Sequence, residues 1–107
     1  DSDGNNDAIT PCFLEGGVNC LHPLEVAINE DAVRLRKEYG HKLLLIGNID
    51  KREVAKGGKA LETEVSAKLP SLLEDGGYIP SLDHCVSPDI SFGNYCRYIK
   101  LVKSYWD

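Results

Sequence analysis

No block of lysine and arginine occurs anywhere in the chain, and acidic residues outnumber basic ones 17 to 12, for a formal net charge of -5. A nucleic-acid footprint needs a concentrated basic patch, so nucleic acid is not expected as a partner. No apolar run approaches the ~20 residues of a membrane span, so no membrane partner is expected. The opening Asp1-Ser2-Asp3-Gly4-Asn5-Asn6-Asp7 is too polar for a signal peptide. The four cysteines, Cys12, Cys20, Cys85 and Cys96, show no CxxC spacing. Three of them lie in apolar periodic segments, so the expectation is reduced thiols in a cytoplasmic protein rather than a secreted disulfide framework. No Gly-rich dinucleotide fingerprint follows any strand signal, which argues against a Rossmann fold.

What is present fits one small domain of 107 residues with a modest core. The polar Asp1 to Asp7 segment reads as a loop, the tail of a strand not itself in the sequence. Ala8 to Glu15 reads as a short helix with Asp7 as its cap, Pro11 in its first turn and Gly16-Gly17 as its stop. Val18 to Leu21 is a short strand. Asn29 or Asp31 caps a helix that runs through Tyr39 and stops at Gly40. Lys42 to Ile46 is the strongest strand, continuously apolar as a parallel strand covered on both faces should be. A helical turn from Lys51 to Ala55 precedes a helix from Lys59 to Asp75, with Leu61, Val65, Leu69 and Leu72 on one stripe and Pro70 as a kink. Gly76-Gly77 introduce a strand from Tyr78 to Leu82. The last helix, capped by Ser91, carries Phe92, Tyr95, Ile99, Val102 and Trp106 at steps of three and four.

Strands separated by helices must be parallel, joined by right-handed crossovers, so the fold class is α/β. In such folds the loops after the strands carry the chemistry. Those loops hold Asp83, His84 and Cys85 after the last strand, Asn48 and Asp50 after the strongest one, and Glu25 after the first. His84 is the foremost candidate, because an imidazole can donate to a carboxylate, move a proton or bind a metal. Asp1 and Asp3 lie on the same rim. They form a solvated loop, or join His84 around a divalent cation or a cationic substrate group. Glu25 serves as base or ligand, or complements a helix N-terminus. Asn48 and Asp50 cap the following helix or face the pocket. Cys85 has no identifiable partner base, His22 packs or bonds locally, and His41 precedes its strand at the wrong end for chemistry.

Gly47-Asn48-Ile49-Asp50, then Gly77-Tyr78-Ile79 running into Asp83-His84 and on to Pro88-Asp89, resemble the C-terminal half of the uroporphyrinogen decarboxylase superfamily. So does Asp3-Gly4 followed by a helix and Gly17. The resemblance covers nearly the whole chain, residues 1–107 as a single domain, with the intervals in order. It implies parallel βα units forming the C-terminal half of a (β/α)8 barrel, from the end of strand five through helix eight. It further implies a porphyrinogen carboxy-lyase that needs no cofactor. The alternative within the superfamily is a corrinoid-dependent methyltransferase assisted by a divalent metal. His84 matches a substrate-contacting histidine of the decarboxylases, in Asp83-His84-Cys85 where they read Gly-His-Gly. Catalytic roles are accordingly expected of His84, Asp3 and Glu25, and substrate contacts of Asn48, Asp50, Asp83 and Cys85. A metal, if present, falls to Asp1, Asp3 and His84, a hard or borderline set suited to zinc, manganese or iron rather than copper(I). The methyltransferases place His-x-Cys where this chain has Asp1-x-Asp3, so a thiolate-rich zinc site is not expected. Three strands cannot close a barrel. The expected partners are therefore a small-molecule substrate and either a second copy of the chain, as a homodimer, or an N-terminal half-barrel. A fragment that folds only by such assembly, without catalysis, is the third possibility.

Overall fold

A computed structural model describes residues 1–106. Helix α1 (Thr10–Glu15) is followed by strand β1 (Cys20–Leu21) and helix α2 (Ala32–Tyr39). Strand β2 (Leu44–Ile49) leads into helices α3 (Lys51–Lys56) and α4 (Gly58–Leu73), and strand β3 (Tyr78–Leu82) into helix α5 (Phe92–Ser104). Single 3-10 turns occupy Val26–Ile28 and Gly40–Lys42.

The three strands form one parallel sheet in the order β1-β2-β3, with Cys20 opposite Leu44 and Ile46 opposite Ile79. The backbone N–H of Ser2 donates to the carbonyl of His22 at 3.0 Å, which lays the N-terminal segment along the outer side of β1. Crossovers of one hand between neighbouring strands taken in sequence order put all the connecting helices on one face. Burial follows that rule. Leu21, Leu45, Tyr78 and Leu82 are buried, whereas Leu44 is 37% exposed and Ile79 is 59% exposed. The unbroken apolar run of β2 suggested cover on both faces. Helices cover only one, and the molecule is correspondingly thin, 16 Å along its shortest axis.

The helix stripes explain the core. Leu61, Val65, Leu69 and Leu72 of α4 are all completely buried. The helix continues through Pro70 to Leu73. Asp31 caps α2 by accepting from the N–H groups of Val33 and Arg34. Ser91 caps α5 through the N–H of Asn94. Two expectations change. Helix α1 begins at Thr10 without a side-chain cap, because the Asp7 carboxylate is engaged by Arg34 at 2.7 Å instead. The buried side chains of α5 are Tyr98 and Val102, while Phe92 is 83% and Trp106 61% exposed. The middle of α5 packs on α3 and α4, and the apolar stripe overruns that contact at both ends. Among the described residues no helix is long and apolar enough to cross a membrane.

β2 extends beyond the expected Ile46 because Gly47 and Asn48 keep pairing with Pro80 and Ser81 despite positive φ angles of 107° and 65°. Gly47 is needed there for space as well as for conformation. A Cβ on it would stand 2.1 Å from the carbonyl oxygen of Pro23. Gly47→Ala is therefore expected to destabilise the fold by more than about 3 kcal/mol, the severe end for one substitution, in urea unfolding followed by circular dichroism. A loss below about 1 kcal/mol would contradict the packing described.

Candidate functional site

A cavity of about 560 Å³ opens at the C-terminal ends of the strands. Asp1 and Asp3 from the N-terminal segment, His22 after β1, Ser81 of β3, and His84 and Cys85 after β3 give its polar lining. Pro23, Pro80, Leu82 and Val86, with Tyr95, Tyr98 and Ile99 of α5, give the apolar lining. The rings of Tyr95 and Tyr98 lie 5.9 Å apart, tilted at 43°. Burial pushes the Tyr98 phenol far up, so it stays protonated.

Asp1, Asp3, His84 and Cys85, expected on this rim, do line the cavity together. They stand at its two ends, however. The N-terminal segment lies beyond β1 and the His84 loop follows β3, three strand spacings away, or about 14 Å along the sheet. Among the described residues, no group of three His, Cys, Asp or Glu side chains is placed to hold a metal ion. Asp1 is in any case engaged elsewhere: its Oδ2 lies 3.0 Å from Nδ1 of His22. The expected set of Asp1, Asp3 and His84 is thus not assembled as one coordination sphere. His22, expected to pack or bond locally, bonds to Asp1 and is the added member of the site. Its position one strand over from Asp1, at the same level of the rim, is the signal that would have found it.

Four other candidates are held by the fold itself. Asn48 is completely buried. Its Oδ1 accepts from the N–H of Ala32 at 2.9 Å, and its Nδ2 donates to the carbonyls of Leu24 and Glu30 at 2.8 and 2.9 Å. Both amide hydrogens are used. Asp83 is 4% exposed. Its two oxygens accept from the N–H groups of Val26 and Lys51 at 2.9 and 3.0 Å, which ties the loops after β1 and β2 to the end of β3. Asp50 caps α3 through the N–H of Arg52 at 2.9 Å and also holds the Arg52 guanidinium at 3.0 and 2.9 Å. Glu25 accepts from the N–H of Gly4 at 3.2 Å and so fastens the segment that carries Asp1 and Asp3. Asn48, Asp50, Asp83 and Glu25 shape the rim but do not line the cavity. Helix capping, one of the two roles open to Asp50, is the one it fills. Comparison of the chain with family models, curated proteins and solved structures found no match.

The arrangement offers an exposed imidazole and a half-buried one, two exposed carboxylates and an aromatic wall, with no lysine or arginine among the described lining residues. It suits proton transfer and the recognition of N–H or cationic groups.

Two outcomes are expected. Asn48→Leu leaves the Ala32 N–H and the Leu24 and Glu30 carbonyls without their partner. At about 1–3 kcal/mol for each orphaned group, it should lower unfolding free energy by at least about 3 kcal/mol in urea melts. The second concerns acid. Burial pushes the Asp50 carboxyl up, but the Arg52 side-chain and backbone hydrogen bonds outweigh it, leaving Asp50 below its ordinary 3.8. A depressed carboxyl contributes stability that is present above 3.8 and is lost as pH falls through its folded value. Arg52→Ala should raise the Asp50 midpoint in a carboxyl ¹³C titration and weaken that contribution. An unchanged midpoint would show that Arg52 does not set it.

Proposed function

We propose that the chain supplies a strand-end site of the uroporphyrinogen decarboxylase type, for a lyase acting on the acetate side chains of a porphyrinogen. The proposal includes its setting, parallel βα units of a (β/α)8 barrel with the cavity at the face where such barrels do chemistry. The observation that carries it is the cavity of about 560 Å³ lined by Asp1, Asp3, His22 and His84 at the C-terminal ends of three parallel strands.

Each residue has a role suited to its chemistry. Asp1 and Asp3 accept hydrogen bonds from ring N–H groups, which a porphyrinogen presents on one face. His84, exposed on the loop after β3, is the one group of that loop able to pair with a substrate carboxylate. His22 donates its Nδ1–H to Asp1, which orients Nε2 to carry the proton that replaces carbon dioxide on the side-chain methylene carbon. Tyr95 and Ile99 form a wall for the macrocycle's apolar surface. Metal-assisted methyl transfer would need Asp1, Asp3 and His84 around one ion, and their places at opposite ends of the cavity do not bring that about.

The open face of the sheet supports the barrel setting. Val18, Leu44 and Ile79 are 47%, 37% and 59% exposed, on a surface that barrel closure would bury. A second copy packing across a two-fold axis would cover it.

Titration with uroporphyrin, the stable oxidised analogue, should give saturable spectral changes. His84→Ala and His22→Ala should each weaken binding about tenfold or more, as expected for a hydrogen bond to a charged group. Binding that ignores both substitutions would sink the site assignment. Sedimentation equilibrium at micromolar concentration should show a dimer, and Leu44→Lys with Ile79→Lys should dissociate it. A cooperatively melting monomer that binds no hydrophobic dye would end the barrel-assembly part.

A further inference from the structure

Away from the cavity, the N-terminal segment meets the start of α2 at two carboxyl groups that the proposed chemistry does not use. Glu30 is 3% exposed. Its Oε1 accepts the N–H of Asn6 at 2.6 Å, and its Oε2 is buried without a partner. The neighbouring Asp7 uses Oδ2 to accept from Arg34 at 2.7 Å, and its Oδ1 is likewise buried without a partner. The two carboxyl groups are brought side by side, because the N–H that Glu30 accepts belongs to Asn6, the residue before Asp7.

Two ionised carboxylates cannot satisfy one another, since each is an acceptor only. A single proton satisfies both free oxygens at once, as donor on one and acceptor on the other. The surrounding charges do not remove the need for it. Arg34 is the facing cation, already bonded to Asp7 and also 3.7 Å from Glu38. Asp31 adds a further negative charge beside Arg34, with its Oδ1 taken up in capping α2. Burial raises the Glu30 carboxyl above its ordinary 4.5 and Asp7 raises it further, against the opposing pull of the Asn6 N–H and Arg34.

We propose that Glu30 and Asp7 hold one proton between them in the folded chain, and that its loss as pH rises loosens the N-terminal segment and withdraws Asp1 and Asp3 from the cavity. The segment is otherwise fastened to the loop after β1 by the Ser2 and Gly4 N–H groups, on His22 and Glu25, by the Asn5 amide on the Ile28 carbonyl and by the Asp1–His22 pair. The direction of the effect comes from the raised affinity for the proton. The latch is fully closed below 4.5 and is lost as pH rises through the higher folded value.

The test is a pH titration of the full chain that follows the Glu30 side-chain ¹³C resonance and the backbone amides of Ser2, Gly4 and Asn6. Glu30 should titrate above 4.5, and the three amides should move with the same midpoint. In Glu30→Gln an amide N–H replaces the proton, and the three amides should stop responding over that range. Asp7→Asn, which removes the like charge, should bring the Glu30 midpoint down towards 4.5 and decides the matter if Glu30→Gln does not fold. A Glu30 midpoint at or below 4.5, or amides indifferent to its titration, would overturn the proposal. So would a Glu30 resonance that shifts when calcium chloride is added at constant pH, which would assign the two free oxygens to a cation.

Discussion

The amide of Asn48 holds the molecule's register. It sits at the end of the central strand with no exposure and joins two carbonyls of the segment between β1 and α2 to the first N–H of α2. The backbone around it is used as fully. Its own N–H donates to the carbonyl of Pro23 at 2.9 Å, its carbonyl accepts from Lys68 at 2.5 Å, and the neighbouring Gly47 carbonyl accepts from Tyr78 at 2.7 Å. Lys68 in turn pairs with Glu64, which accepts the N–H of Asp50 at 3.0 Å. In a buried setting an unmade bond costs about 1–3 kcal/mol, so each of these groups confines the others. The loop after β1, the start of α2, the body of α4 and the neighbouring strand are all positioned from two residues of β2.

That constraint explains what could and could not be read from the sequence. Leu61, Val65, Leu69 and Leu72 announced the buried face of α4, because helical periodicity is a local signal that the fold had only to accept. The caps at Asp31 and Ser91 were equally local. The partners of Asp83 lie 57 and 32 residues away and those of Asn48 lie 16, 24 and 18 residues away. No short-range pattern distinguishes such a clamp from a residue that faces a ligand, since both require a polar side chain at a strand end. His22 was underrated for the converse reason. Its partner Asp1 is 21 residues distant and becomes adjacent only when the N-terminal segment lies along β1. The overrun of the apolar stripe on α5 is a matter of length, as periodicity gives the direction of a face but not how far its neighbour extends.

The carboxyl groups at this end of the sheet divide by environment. Asp50 and Asp83 are buried and face backbone N–H groups or a guanidinium, which take up their oxygens at the cost of their availability. Asp1 and Asp3 are exposed, and among the described residues only Oδ2 of Asp1 is engaged, by His22. Proximity along the chain says nothing of this difference: Asp83 and His84 are neighbours, yet one is an internal strut and the other is exposed on the cavity wall.

The separation of struts from working groups also bears on how such a surface can change over generations. His84, Cys85 and Val86 are exposed, and none of their side chains is hydrogen-bonded to another of the described residues. Asp83, immediately before them, anchors the loop from which they project. Substitutions at these three positions alter the wall of the cavity while leaving the anchored backbone in place, with the small stability effects usual for exposed positions. Mutational drift can therefore sample new ligand preferences in this loop almost independently of folding, whereas the same number of changes at Gly47, Asn48 and Asp83 would be filtered out before any new preference was expressed.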